Sequence, residues 1–213
     1  MNKNERDSIR KYDSIAGRYD ASLEGIFTAK FKKKMLELCE VSSGDTVLDV
    51  GCGNGNLING IKQKDNIKAY GVDISPNMIE ECRKYYKDIE FTVSSGEVLP
   101  FESGIFDMLT ICCVLHHFNN PQRFFAEAQR VLKPGGTLIV GELWYPFGAR
   151  QLFDWIVSPL LRAGDNKIFS CKRLKQLFTG NSFQVIEVYI KGSMQIIMGK
   201  SYKDSIQGNA DHD

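Results

Sequence analysis

Apolar residues recur along this chain in two rhythms, and the switches between them predict its elements. Near the N-terminus the period is helical: Phe27, Phe31, Met35 and Leu38 share one stripe, with Lys32, Lys33 and Lys34 opposing it. At Val47, Leu48 and Val50 the pattern tightens to a β-branched-rich apolar run, which reads as a buried strand. An amphipathic segment follows, with Leu57, Ile58 and Ile61 on its apolar side. Residues 69–73 form the next strand. Ser75 then stands as N-cap and Pro76 as first helical residue of a helix burying Met78, Ile79, Cys82 and Tyr86.

Residues 89–93 give a third strand, and a fourth lies within the apolar stretch 106–118. Asn120-Pro121 opens a helix packed through Phe124, Ala128 and Val131; Lys133-Pro134-Gly135-Gly136 stops it and turns into a strand over 137–140. Strands alternating with helices require a mostly parallel sheet covered on both faces, an α/β three-layer, doubly wound arrangement. Residues 183–191 and 193–198 flank Gly192 and predict a hairpin. Residues 1–11 are polar and expected to fray, and residues 200–213 are expected to be a disordered tail.

Composition adds bounds. The 213 residues suit one domain, with 43% hydrophobic and 25% charged residues, as in an ordinary soluble protein. A net charge of +1 gives no reason to expect nucleic acid or an anionic membrane as partner. Residues 1–34 hold nine Lys/Arg against five Asp/Glu, which a solvated helix face explains. The six cysteines show no C-x-x-C spacing and no secretory leader precedes them, so a reduced, cytoplasmic setting is expected. No apolar run is long enough to span a bilayer.

The chemistry concentrates at residues 47–56, VLDVGCGNGN. A strand running into Gly51, Gly53 and Gly55 and then a helix is the opening unit of a nucleotide-binding sheet. A dinucleotide fingerprint would need a third glycine at position 56, where the chain has Asn56. Here an acid, Asp49, precedes G-x-G-x-G, and Asp73 ends the next strand 22 residues after Gly51, the reach expected for ribose hydroxyls.

Turn, spacing and Asp73 together resemble the class I S-adenosylmethionine-dependent methyltransferases, in particular the small-molecule branch with the ubiquinone- and menaquinone-type enzymes. EVLPF at 97–101, FDMLTICCVLHHF at 106–118 and RVLKPGGTLIVGE at 130–142 extend the resemblance from about Tyr12 to Glu142, and loosely to Gly199. It implies a seven-stranded sheet ending in a C-terminal antiparallel hairpin. It also implies one methyltransferase domain over 1–199, with an N-terminal helical cap (1–40) and a helical lid insertion (143–170). S-adenosylmethionine is the implied cofactor. Backbone at Gly51, Cys52, Gly53 and Gly55 would hold its amino-acid end, with Asp49 assisting at the ammonium directly or by water. Asp73 would take the ribose, Ile74 and Met78 would sandwich the adenine, and Cys112 would offer backbone. Tyr12 and Tyr19, seven apart on one helical face, would close the site or anchor the N-terminal helix.

Where the family carries an Asp for the adenine amino group this chain has Ser95, followed by Gly96 and Glu97; Glu97 would compensate or face solvent. His116-His117 follow the fourth strand. His116 is expected to pack, and His117 is a weak candidate for a base, so no catalytic residue is assigned. Adjacent Cys112-Cys113 should point to opposite strand faces, which argues against shared metal ligation, and no metal site is assigned. Both tryptophans, Trp144 and Trp155, fall in the insertion at 143–170, together with Leu152, Phe153, Ile156, Val157 and Leu160. An ordinary core segment would read the same way; a lid over an apolar acceptor pocket is favoured. The expected function is methyl transfer to a small, apolar acceptor, with no nucleic acid, no stable membrane insertion and an open oligomeric state. A catalytically silent cofactor-binding protein keeps every one of these residues; a nicotinamide oxidoreductase is opposed by Asn56 and VLKPGG.

Overall fold

The computed structural model describes residues 3–144 and 168–202. Three helical pieces come first: α1 (Lys3–Ile15), a 3₁₀ segment (Ala16–Ala21) kinked at Arg18, and α2 (Leu23–Leu38). The alternating part follows as β1 (Thr46–Val50), α3 (Asn56–Lys62), β2 (Lys68–Asp73), α4 (Pro76–Tyr85), β3 (Glu90–Val93), β4 (Phe106–Cys112), α5 (Pro121–Val131) and β5 (Leu132–Leu143). After the gap in description come α6 (Cys171–Thr179), β6 (Phe183–Lys191) and β7 (Met194–Ser201). The seven strands form one sheet in the order β3-β2-β1-β4-β5-β7-β6. β1 to β5 are parallel; β7 runs antiparallel between β5 and β6.

Strand alternation builds two cores from one sheet. Leu48, Leu109 and Val140 belong to the cluster that packs under α5 and α6. Their neighbours Val47, Met108 and Ile139 belong to the opposite cluster, with Phe31 and Met35 of α2 and Leu57, Ile58 and Ile61 of α3. Helix starts follow the sequence signals: Ser75 accepts from the Met78 amide and Asn120 from the Gln122 amide. At α6 the cap is Ser170, accepting from the Arg173 amide.

Three expectations change. Residues 3–11 are helical because tertiary bonds hold α1 in place. Asp13 accepts from the Ser75 hydroxyl at 2.5 Å, and Tyr12 donates to Glu24. The fifth strand begins at Leu132, with Lys133-Pro134-Gly135-Gly136 as a bulge between the pairs Phe106↔Leu132 and Met108↔Thr137. Lys200 pairs with Thr137 and Ser201 with Phe183, so β7 extends two residues into the expected tail.

Most of the expected lid, including Trp155 and Phe153, lies outside the described residues. Its flanks are anchored. The side-chain amide of buried Gln195 donates to the carbonyls of Leu143 (3.1 Å) and Phe169 (2.7 Å), joining the two ends. Phe169, counted with the insertion by sequence, is buried in the sheet core beside Leu174.

Candidate functional site

A cleft of about 800 Å³, counting space open to solvent, lies over the carboxyl ends of β1, β2 and β4. Its floor is the turn after β1. Gly51 (φ 66°) needs glycine twice over, since a Cβ there would also stand 2.4 Å from Val114 Cγ2. Gly53 (φ 53°) has nothing within 4 Å of where a Cβ would be and presents bare backbone to the cleft. The adjoining Cys52 is 1% exposed, and Gly55 is the left-handed N-cap of α3; neither is among the residues lining the cleft.

Asp73 ends β2 in the same cleft. Its Oδ2 accepts from the Gly53 amide at 2.8 Å and its Oδ1 from the Ser75 amide at 2.9 Å. These bonds fix the carboxylate against the glycine turn and leave each oxygen a further lone pair. Burial raises its pKa, opposed by the amides of Ser75 and Gly53. Ile74 and Met78 line the adjoining wall. Asp49 is below the floor, 2% exposed, accepting from the Thr110 hydroxyl at 2.7 Å. Burial pushes its carboxyl up to about 7, with Thr110 and Lys32 opposing and Asp73 adding to the rise.

Ser95, Gly96 and Glu97 form the far wall. The Ser95 hydroxyl accepts from the Glu97 amide at 3.3 Å. Glu97 does not simply face solvent: its Oε1 takes the amides of Asn119 (2.7 Å) and Asn120 (3.2 Å), tying this loop to the start of α5.

The fourth side is built by the N-terminal cap, with Tyr12 and Tyr19 both on the wall. Tyr19 is 8% exposed, and its hydroxyl lies 3.3 Å from that of Thr28. Lys32, which periodicity puts on the polar face of α2, in fact enters the cleft. It lies over the Tyr19 ring at 5.4 Å and donates to Asn54 Oδ1 at 3.0 Å. A single sequence carries no signal for that, because it depends on where the cap docks. The cap is also clamped to the glycine turn by Asp20, which accepts from the side-chain amides of Asn54 and Asn56.

The turn after β4 departs from the sequence reading. Cys113 has φ 56°, so strand alternation ends at Cys112, and both cysteines line the cleft. The argument from opposite strand faces therefore fails. Among the described residues no group of three or more His, Cys, Asp or Glu is arranged to hold a metal ion. His116 Nδ1 pairs with Glu142 Oε2 at 2.8 Å, and His117 lines the cleft with its Nε2 2.8 Å from the Tyr12 hydroxyl.

The site can hold a ligand with an anionic end, a vicinal diol and a flat apolar end. Lys32 and the Gly51–Gly53 backbone offer a cation and bare amides, Asp73 a carboxylate with acceptor capacity left, and Ile74 and Met78 apolar side chains, all on one cleft. The family profile described as "Methyltransferase domain" matches residues 48–140. A demethylmenaquinone methyltransferase of Thermotoga maritima is 33% identical over 149 residues, covering 68% of this chain and 65% of that protein. The match thus spans less than two thirds of this relative's length.

Among solved structures, one from Thermotoga maritima is described as an S-adenosylmethionine-dependent methyltransferase, possible histamine N-methyltransferase. It superposes with a TM-score of 0.72 at 22% identity, over 90% of this chain and 98% of that one. A geranyl diphosphate methyltransferase in complex with its diphosphate and sinefungin gives 0.68 at 20% identity, over 80% and 76%. At those identities the likeness is one of fold.

Proposed function

We propose that the chain, whose residues 48–140 match the methyltransferase domain, is a class I S-adenosylmethionine-dependent methyltransferase and that it methylates a small, uncharged aromatic or lipid-like acceptor. The observation that carries the reading is Asp73: a buried carboxylate opening into the same cleft as the bare backbone of Gly53, and bonded to it at 2.8 Å. A ribose diol and an amino-acid end can be held together only where two such groups share a wall.

When bound, S-adenosylmethionine supplies a methyl group activated by its sulfonium. In this reading Gly51 and Gly53 hold the amino-acid end by backbone, and Lys32 adds a positive charge for its carboxylate. Asp49, beneath the floor, acts on the ammonium through the turn. Asp73 takes the ribose hydroxyls, while Ile74 and Met78 pack the adenine. Ser95, Gly96 and Glu97 border its edge. Tyr12 and Tyr19 close the cleft and exclude water, and Cys112 borders it from the end of β4. Rate gain then comes mainly from alignment of the acceptor with the reacting carbon.

The aromatic residues of 143–170 support an apolar acceptor, because a cleft with few polar groups is the usual form of a small-molecule site. The T. maritima relative is named a demethylmenaquinone methyltransferase, which supports the same class. No described helix is long and apolar enough to cross a membrane.

Titration calorimetry with S-adenosylmethionine, S-adenosylhomocysteine and NAD tests the cofactor. Binding of the first two and silence from NAD is expected, and tight NAD binding alone ends the reading. Trp155→Ala should raise the acceptor's KM and leave cofactor affinity nearly unchanged. Joint loss of affinity and stability would show that this stretch is core.

A further inference from the structure

The far wall of the cleft has a donor and acceptor pattern of its own. Ser94, Ser95, Gly96 and Glu97 follow β3 and line the cleft as one loop. The Ser94 amide donates to the Asp73 carbonyl at 2.9 Å, and the Val98 amide donates to that of Ser95 at 3.2 Å. Gly96 lies against Phe118, where a Cβ would stand 2.4 Å from Cζ. The loop is therefore held by the end of β2 and by the turn after β4.

Its polar groups are committed unequally. Ser94 gives its hydroxyl proton to the Val98 carbonyl at 2.8 Å. Glu97 Oε1 accepts the amides of Asn119 at 2.7 Å and Asn120 at 3.2 Å, which fills both lone pairs of that oxygen. Ser95 is different. Its oxygen accepts from the Glu97 amide at 3.3 Å and keeps one lone pair and the hydroxyl proton. Among the described residues nothing takes that proton. Such a hydroxyl turns to suit its partner, donating or accepting, whereas a carboxylate at the same place could only accept.

The distinction matters for a purine, whose 6-position carries either an amino donor or an oxo acceptor. Telling the two apart needs a wall group of fixed polarity, against which the wrong base leaves a polar group unpaired or sets acceptor against acceptor. Ile74, Met78 and Phe118 offer apolar surface to either ring alike. Resting on the methyl-transfer reading, we propose that Ser95 makes the site permissive at the purine, so that it takes nucleoside thioethers bearing a 6-oxopurine as well as the 6-amino form. Against a 6-amino group the Ser95 oxygen accepts; against a 6-oxo group it donates. Asp73 and the Gly51–Gly53 backbone hold the rest of either molecule in the same way, because the ribose and the amino acid are shared.

Titration calorimetry with S-adenosylhomocysteine and S-inosylhomocysteine tests this. In wild type the two dissociation constants should differ by less than about tenfold, a residual preference that comes from ring N1 changing from acceptor to donor. A larger ratio overturns the proposal and leaves the methyl-transfer reading standing. Ser95→Asp and Ser95→Asn then separate charge from shape, since the two new side chains are isosteric and only the amide offers a donor.

Ser95→Asp should widen the ratio at least about tenfold by opposing the 6-oxo group, and Ser95→Asn should stay within about threefold of wild type. A smaller widening with Asp, or one with Asn that matches it, overturns the role of Ser95. Where a variant does not melt cooperatively, the wild-type ratio decides alone. Failure of wild type to bind S-adenosylhomocysteine at all sinks the methyl-transfer reading and this proposal with it.

Discussion

Two buried aspartates, Asp49 and Asp73, sit on adjacent strands under one cleft, and each carries a separate consequence. Asp73 is anchored by two backbone amides and has acceptor capacity left for a diol. Asp73→Ala should weaken S-adenosylhomocysteine binding by about 2–4 kcal/mol, the size of a charge-assisted pair of hydrogen bonds. Calorimetry reads it, and an unchanged dissociation constant in a folded variant would move the ribose elsewhere. Asp49 has no amide donors of that kind, and burial lifts its carboxyl to about 7 from the ordinary 3.8. The folded state therefore keeps a proton that the unfolded chain releases between those values. Stability linked to Asp49 is fullest below about pH 4, declines as pH rises, and is lost above about 7. Asp49→Asn, which mimics the protonated group, should be more stable than wild type at pH 8 by about 2–4 kcal/mol and equal to it in acid. Urea unfolding at both pH values checks the slope.

At the scale of elements, the site depends on how α2 docks against the 3₁₀ segment before it. Gly25 makes that contact possible: a Cβ there would stand 2.1 Å from the Tyr19 carbonyl oxygen. Gly25→Ala has to push the two pieces apart, and with them Tyr12, Tyr19 and Lys32. The expected loss is about 1–3 kcal/mol of stability, as for overpacking elsewhere, together with weaker cofactor binding. A titration showing full affinity in this variant would mean the cap is no part of the site. The glycine turn between β1 and α3 behaves differently, because its geometry is local. Its residues need only their own backbone freedom and the Asp73 carboxylate to hold shape.

For the whole molecule, the antiparallel insertion of β7 between β5 and β6 brings Gln195 beneath the junction of residues 143 and 169. One side chain thereby ties Leu143 and Phe169 to the sheet. Gln195→Leu removes both donors and leaves two carbonyls without them, at a cost of about 2 kcal/mol. A lower urea midpoint should accompany a raised acceptor KM. If KM is unchanged, the stretch between them does not border the acceptor.

Sequence alone determined what neighbours along the chain decide. The apolar run Val47–Leu48–Val50, the glycines after it and the cap Ser75-Pro76 have their meaning within a few residues, so periodicity and turn chemistry reveal them. Asp73 was legible for the same reason: a strand–turn–helix–strand unit has a nearly fixed length. Resemblance extended the reading to the sheet and its closing hairpin. Tertiary structure decided the rest. Lys32 belongs to the cleft only because the cap folds over it, and Tyr12 meets His117 across 105 residues of separation. Cys113 joins Cys112 on the cleft because a left-handed φ ends strand alternation there, a local event with no marker in the residue type. Contacts between distant segments depend on the energies of all competing packings at once, and no spacing along one chain encodes which of them wins.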